Sequence, residues 1–209
     1  MNNNIILPKG YLSYSQYQMW VNSRDRYIKK YIDGRMDMDV YNKSLEYGKI
    51  VADALEKEEE VGDILTDTMM FMLPKYDVRD RSDEVEFETS NGVLRLVFKP
   101  DTFDSKTYDF REYKTGKTKW TQQKANNHFQ LKFYALCIFL KYKHITEYTY
   151  LDWIETIEEN GKIEPTGKLL SFKVKIGKDV ILDTLRKVVK AATDIESVYL
   201  THEKKPLLW

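Results

Sequence analysis

Apolar and aromatic positions recur at helical spacing early in the chain, where Tyr17, Trp20, Val21, Tyr27, Ile28 and Tyr31 follow one another on a three-to-four-residue period. Ser13 and Ser15 stand just ahead of them where helix caps are expected, so the pattern predicts a first helix. After Gly34, residues Tyr41, Leu45, Gly48, Val51, Ala52 and Leu55 share one side of a second helix predicted over about 40–60. An apolar run at 64–73 predicts a short third one, which Pro74 stops.

The period then changes to two. "EVEFET" (84–89) and "VLRLVF" (93–98) read as strands joined through Asn91-Gly92, the dipeptide of a tight hairpin, and "TYDFREYK" (107–114) reads as a third. A helix is predicted over about 121–143, broadly apolar in its second half at Phe133, Leu136, Cys137, Phe139 and Leu140, as suits packing against a sheet. A strand at 147–156, a turn at Asn160-Gly161, a strand near 169–176 and an amphipathic helix from Lys178 to about Leu200 complete the chain. Helix, three strands, helix, strand is the order of a mixed α/β layer fold. One domain over 1–209 is expected, with its core at about 40–156 and a C-terminal extension at 157–209.

Composition narrows the class. With 209 residues, 42% hydrophobic, 13% aromatic and 32% charged, the chain can bury a core and keep a charged surface. Its 33 basic and 33 acidic residues cancel, which argues against coating nucleic acid through bulk charge. The distribution is uneven: Arg111, Lys114, Lys117, Lys119 and Lys124 face only Glu112 between 111 and 124, a local balance of +4, while 53–63 is rich in acids. No run approaches the ~20 apolar residues of a membrane span, and "MNNNIILPKG" lacks the basic and apolar segments of a signal, so a cytoplasmic protein is expected. The lone Cys137 excludes an internal disulfide and cysteine-built metal clusters, so any metal is held by oxygen or nitrogen. His128, His144 and His202 show no ligand spacing and receive no role.

An acid-x-lysine pattern occurs three times, at Asp104/Lys106, Glu112/Lys114 and Glu203/Lys205. The first falls in a turn and the third in a polar tail; only Glu112 and Lys114 lie within a predicted strand, both on one face of it. Asp101 sits at the end of the preceding strand, and antiparallel pairing would bring the two carboxylates together. Converging carboxylates suit a hard cation such as Mg2+ or Mn2+, and a lysine beside them suits orienting a water. An exposed ion pair on a plain hairpin explains the same residues. Gln130 and Tyr134, four apart on the next helix, share a face.

Taken together, "FKPD", "EYKTG" and "QLKFY" resemble the motifs of the PD-(D/E)XK nuclease superfamily, in its RecB-type exonuclease branch. The likeness spans about 12–155 and is strongest over 98–134. It implies a restriction-endonuclease-like αβββαβ core, a mixed central sheet flanked by helices, with N-terminal helices added. It implies Mg2+- or Mn2+-dependent hydrolysis of DNA phosphodiesters, as an exonuclease in recombination, repair or phage and mobile-element DNA processing. Asp101, Glu112 and the carbonyl of Tyr113 would hold metal, Lys114 would position the attacking water, and Gln130 and Tyr134 would line the DNA path. Lys117, Lys119 and Lys124 would guide the strand and Trp120 would stack on a base. A recombination or replication protein is an expected partner; a membrane and ATP are not, since no nucleotide-binding glycine loop is present. One departure stands out: four residues beyond Gly48 the branch carries a histidine, where this chain has Ala52. Asp53 would supply an oxygen ligand instead, or else it belongs to a solvated acidic face. A nuclease-like protein with altered chemistry that binds DNA or a protein is the alternative reading.

Overall fold

A computed structural model of the chain describes residues 4–35, 42–79 and 81–203. The start of the predicted second helix, at 40–41, and Lys205 of the third acid-x-lysine pair lie outside the described residues. The elements run β1 (Leu12–Ser13), α1 (Tyr14–Asn22), α2 (Arg24–Tyr27) continuing into a π-helical turn (Ile28–Ile32), α3 (Lys43–Lys57), α4 (Ile64–Met72), β2 (Val78–Arg79), β3 (Asp83–Thr89) and β4 (Gly92–Phe98). They continue with β5 (Thr102–Phe103), β6 (Phe110–Gly116), α5 (Gln122–Asn127), α6 (Phe129–Tyr142), β7 (Tyr148–Glu159), β8 (Lys162–Lys175) and α7 (Lys178–Glu203). The fold is mixed α/β, as the alternating periods imply.

The strands form two sheets, β1-β4-β3 and β2-β5-β6-β7-β8, each mixing parallel and antiparallel pairs. The Asn91-Gly92 hairpin forms as predicted, with Thr89 paired to Gly92. So does the turn at Asn160-Gly161, where both residues take the left-handed conformation that this dipeptide tolerates best (φ 49° and 78°).

The expected pairing of β4 with β6 is not what brings Asp101 to Glu112. Pro100 lacks the N–H that a ladder needs, so β4 ends at Phe98 and the chain restarts as the two-residue β5. There Thr102 pairs with Arg111 and Phe103 with Phe110. The intervening turn is held by the Asp104 carboxylate, which accepts from the backbone N–H groups of Lys106 and Thr107 at 2.8 Å each. Asp101 is thus delivered beside Glu112 by β5.

Two predicted helices are each broken in two. The first breaks at Ser23, whose backbone turns extended (φ −159°, ψ 72°), and Trp20 packs edge-on against Tyr27 across the break. The helix predicted at 121–143 breaks at His128 (φ −69°, ψ 112°), so that His128 and Gln130 stand at the start of α6. Helix α6 is the centre of the core: Leu131, Phe133, Ala135, Leu136, Cys137 and Ile138 are fully buried. Its neighbours include Leu94 and Leu96 of β4, Phe110, Leu151 and Trp153 of the larger sheet, and Ile181, Val188, Ala192 and Ile195 of α7, all in one continuous hydrophobic cluster. The C-terminal strand and helix are therefore built into the same core. Among the described residues no helix is long and apolar enough to cross a membrane.

Candidate active site

Strand β6 sets the site because its side chains alternate. Phe110, Glu112 and Lys114 share a face; Phe110 stands 6.0 Å from the Tyr134 ring and is fully buried. Arg111 and Tyr113 leave from the other: Arg111 pairs with Asp152 at 2.9 Å, and the Tyr113 hydroxyl donates to the Pro74 carbonyl at 2.7 Å. In the parallel register Glu112 lies beside Leu151 and Lys114 beside Trp153, both fully buried. An acid is thereby held against an apolar wall.

Glu112 is 3% exposed. Its Oε1 accepts from Lys114 Nζ at 2.6 Å and from Gln130 Nε2 at 2.5 Å, while Lys114 also donates to Gln130 Oε1 at 2.9 Å. Gln130 is in turn 3.1 Å from the Tyr134 hydroxyl. The other oxygen, Oε2, is buried without a hydrogen-bond partner. Burial raises the Glu112 pKa against the opposing pull of Lys114 and Gln130. Asp101 is half-buried, and its Oδ2 accepts from the Tyr113 backbone N–H at 2.5 Å. The Tyr134 hydroxyl, its pKa raised first by burial, feels the charges of both acids.

Asp101, Glu112, Tyr113 and Lys114 line a cleft of about 940 Å3 under α3. Helix α3 approaches closely at Gly48, where an added Cβ would meet Thr115 Oγ1 at 3.0 Å, so the absent side chain lets α3 sit against β6. Asp53 lines the same cleft and is exposed, as is Ala52. Among the described residues no group of three or more histidine, cysteine or acidic side chains could hold a metal, so Asp53 is not gathered to Asp101 and Glu112. Gln130 and Tyr134 are both buried, and their hydrogen bonds run to Glu112, Lys114, His128 and each other.

The remaining sequence-selected cations divide. Lys117 forms an ion pair with Glu158, Lys119 is exposed, and Lys124 Nζ lies 4.2 Å over the Trp120 ring. Arg111 does not join them, being held between the Asp152 carboxylate and the Tyr150 ring at 4.2 Å. The cleft instead recruits Lys49, Lys75, Arg79 and Lys99, of which Lys99 pairs with Glu56 at 3.2 Å and Arg79 with Glu58. These four come from three separate segments, so only folding assembles them.

Two residues without a sequence-assigned part also join the network. His128 Nε2 lies 3.3 Å from Gln130 Oε1, and Tyr14 has its pKa pushed up to about 12 by burial and then by the Glu112 charge. His128 is pushed down to about 4, first by burial and then by the Lys114 charge. Since the unfolded ring titrates near 6.5, the folded protein binds fewer protons between the two values. Stability tied to neutral His128 is therefore present above about pH 6.5 and lost as pH falls toward 4. Thermal melts across this window should show wild type losing on the order of 2–3 kcal/mol more than His128→Gln. Parallel melting curves for the two proteins would remove His128 from this network.

No family model matches the chain, and no curated protein matches it. Among solved structures, the crystal structure of SSO0001 is 11% identical with a TM-score of 0.43, over 98% of this chain and 75% of that one. Candida albicans Rai1 in complex with pU5-Mn2+ is 11% identical with a TM-score of 0.27, over 57% of this chain and 34% of that one.

Proposed function

We propose that the chain is a divalent-cation-dependent hydrolase of DNA phosphodiester bonds, with Asp101, Glu112 and Lys114 as its reacting centre. The observation that carries this reading is the Glu112 carboxylate: buried, with Oε1 fixed by Lys114 and Gln130 and Oε2 without a partner. A buried acid left half-satisfied is costly unless a cation completes it. The donor set fits Mg2+ or Mn2+, hard ions that take carboxylate oxygens and retain waters; Glu112, Asp101 and the carbonyl of Tyr113 would hold the ion. Such an ion, when bound, lowers the pKa of water and offsets charge on the phosphoryl oxygens.

The chain's own groups do the rest. Lys114, anchored by Glu112 and Gln130, directs an ammonium N–H toward the attacking water and the phosphorane charge. Water oxygen bonds to phosphorus as the bond to the leaving sugar oxygen breaks, and that oxygen takes up a proton. Gln130 and Tyr134 fix Glu112 and Lys114 in place, and Lys49 and Lys75 supply positive charge along the cleft for the phosphate backbone, beside Arg79 and Lys99 in their ion pairs with Glu58 and Glu56. Cleavage from a strand end in DNA recombination, repair or phage DNA processing is the setting that this reading favours.

Among the described residues no third acid gathers to Asp101 and Glu112, which favours a second reading, a nuclease-like protein that binds DNA without cutting it. Linear and circular DNA, single- and double-stranded, incubated with Mg2+, Mn2+ or chelator separates the two. Metal-dependent cleavage lost in Asp101→Ala and lowered about 10²–10³-fold in Lys114→Ala is expected. DNA binding without cleavage would favour the second reading, and cleavage surviving both substitutions would displace the site.

A further inference from the structure

Between α1 and α5 lies a second pocket, of about 620 Å3, which shares no lining residue with the Glu112 cleft. Its floor is aromatic: Tyr17 stacks on Phe129 with centroids 4.4 Å apart, and Trp120 stands 5.1 Å from His128, edge to face. Its rim carries the exposed amides of Gln18, Asn22 and Asn127, each presenting a donor and an acceptor in one plane. Among the described residues of the lining, Lys124, its ammonium 4.2 Å over the Trp120 ring, is the only lysine or arginine. An aromatic floor, a rim of paired donors and acceptors and one cation match a heteroaromatic ring that has a hydrogen-bonding edge and is tethered to a phosphate. That is the chemistry of a nucleotide. A partner's apolar side chain would leave the amide rim without counterparts.

The pocket is also wired to the cleft. His128 lines it and contacts Gln130, which holds both Glu112 and Lys114. We propose that the pocket receives an unpaired base of the same DNA strand whose phosphodiester enters the Glu112 cleft, making single-stranded DNA, or a frayed end, the substrate. This rests on the hydrolase reading above and adds what the second pocket selects.

The test is binding by the full chain in chelator, followed by fluorescence anisotropy of a labelled single-stranded oligonucleotide, the same backbone with abasic sites throughout, and a blunt duplex. The abasic strand is expected to bind about tenfold or more weakly than the intact one, and the blunt duplex likewise, as loss of base stacking implies. Trp120→Ala should weaken the intact strand and leave the abasic strand unchanged. Because Trp120 also packs on the core, the exposed rim variant Asn22→Leu is measured beside it and should show the same selectivity. Equal binding of intact and abasic strands, or unaltered binding by Asn22→Leu, would overturn the proposal. Cleavage in Mg2+ is assayed in parallel. Cleavage without base dependence would overturn the pocket assignment alone, and base-dependent binding without cleavage would overturn the hydrolase reading alone.

Discussion

Glu112→Gln is expected to abolish metal-dependent cleavage while leaving the protein as stable as wild type or more so. The two outcomes have one cause. In the protein without a cation, Glu112 is a buried acid whose neutral form is favoured by burial, and the stability tied to that form is full below its unfolded pKa near 4.5 and lost as pH rises through the elevated folded value. A glutamine keeps the shape, bonds to Gln130 and Lys114, and carries no charge to desolvate. It offers a cation only a weak amide oxygen. Lys114→Ala should act differently: it removes the donor that meets developing charge, lowering the cleavage rate by about 10²–10³-fold, and it strips Glu112 of one of its two partners. Thermal melts above pH 7 should therefore rank Glu112→Gln at or above wild type and Lys114→Ala below it. The reverse order would mean that Glu112 is held by something other than this network.

Arg111→Leu is expected to be the most destabilising single change near the site, though it touches no reacting group. Asp152 is fully buried, and Arg111 Nη1 reaches both of its oxygens, at 3.0 and 2.9 Å. Removing the guanidinium leaves a carboxylate sealed in the sheet, at a cost of about 3–5 kcal/mol. For a chain of this size that corresponds to a fall in melting temperature on the order of 10 °C. The double variant Arg111→Leu/Asp152→Leu should recover much of the loss, because it removes the stranded charge as well. If Arg111→Leu melts within about 2 °C of wild type, Asp152 is not desolvated.

Much of this arrangement was legible in residue order. Alternation in 107–114 marks a strand, and alternation alone puts Glu112 and Lys114 on one face; four-residue spacing alone puts Gln130 above Tyr134. These relations are local, so short-range periodicity specifies them. The route by which Asp101 reaches Glu112 was not legible, since a two-residue strand such as β5 leaves no periodic signal and exists only through its pairing with β2 on one side and Arg111 and Phe110 on the other. The break at His128 was equally hidden: no glycine or proline interrupts 121–143, and only the packed protein shows His128 turned to Gln130. The cleft lysines and arginine come from α3, from the segment around β2 and from the end of β4, and Tyr14 reaches the Glu112 field from the far end of the chain. Asp53 marks the limit of spacing arguments, since it reaches the cleft wall without being gathered to the other two acids.

The unpartnered oxygen of Glu112, with Asp101, is proposed to hold the cation that cleavage needs. Mn2+ titration followed by the free-ion electron paramagnetic resonance signal tests it most directly, on wild type, Glu112→Gln and Asp101→Asn, with DNA cleavage measured on the same samples. Wild type should bind Mn2+ at least tenfold more tightly than either variant, and cleavage should track occupancy. Equal Mn2+ binding by all three proteins, or wild-type cleavage by Glu112→Gln, would contradict the account.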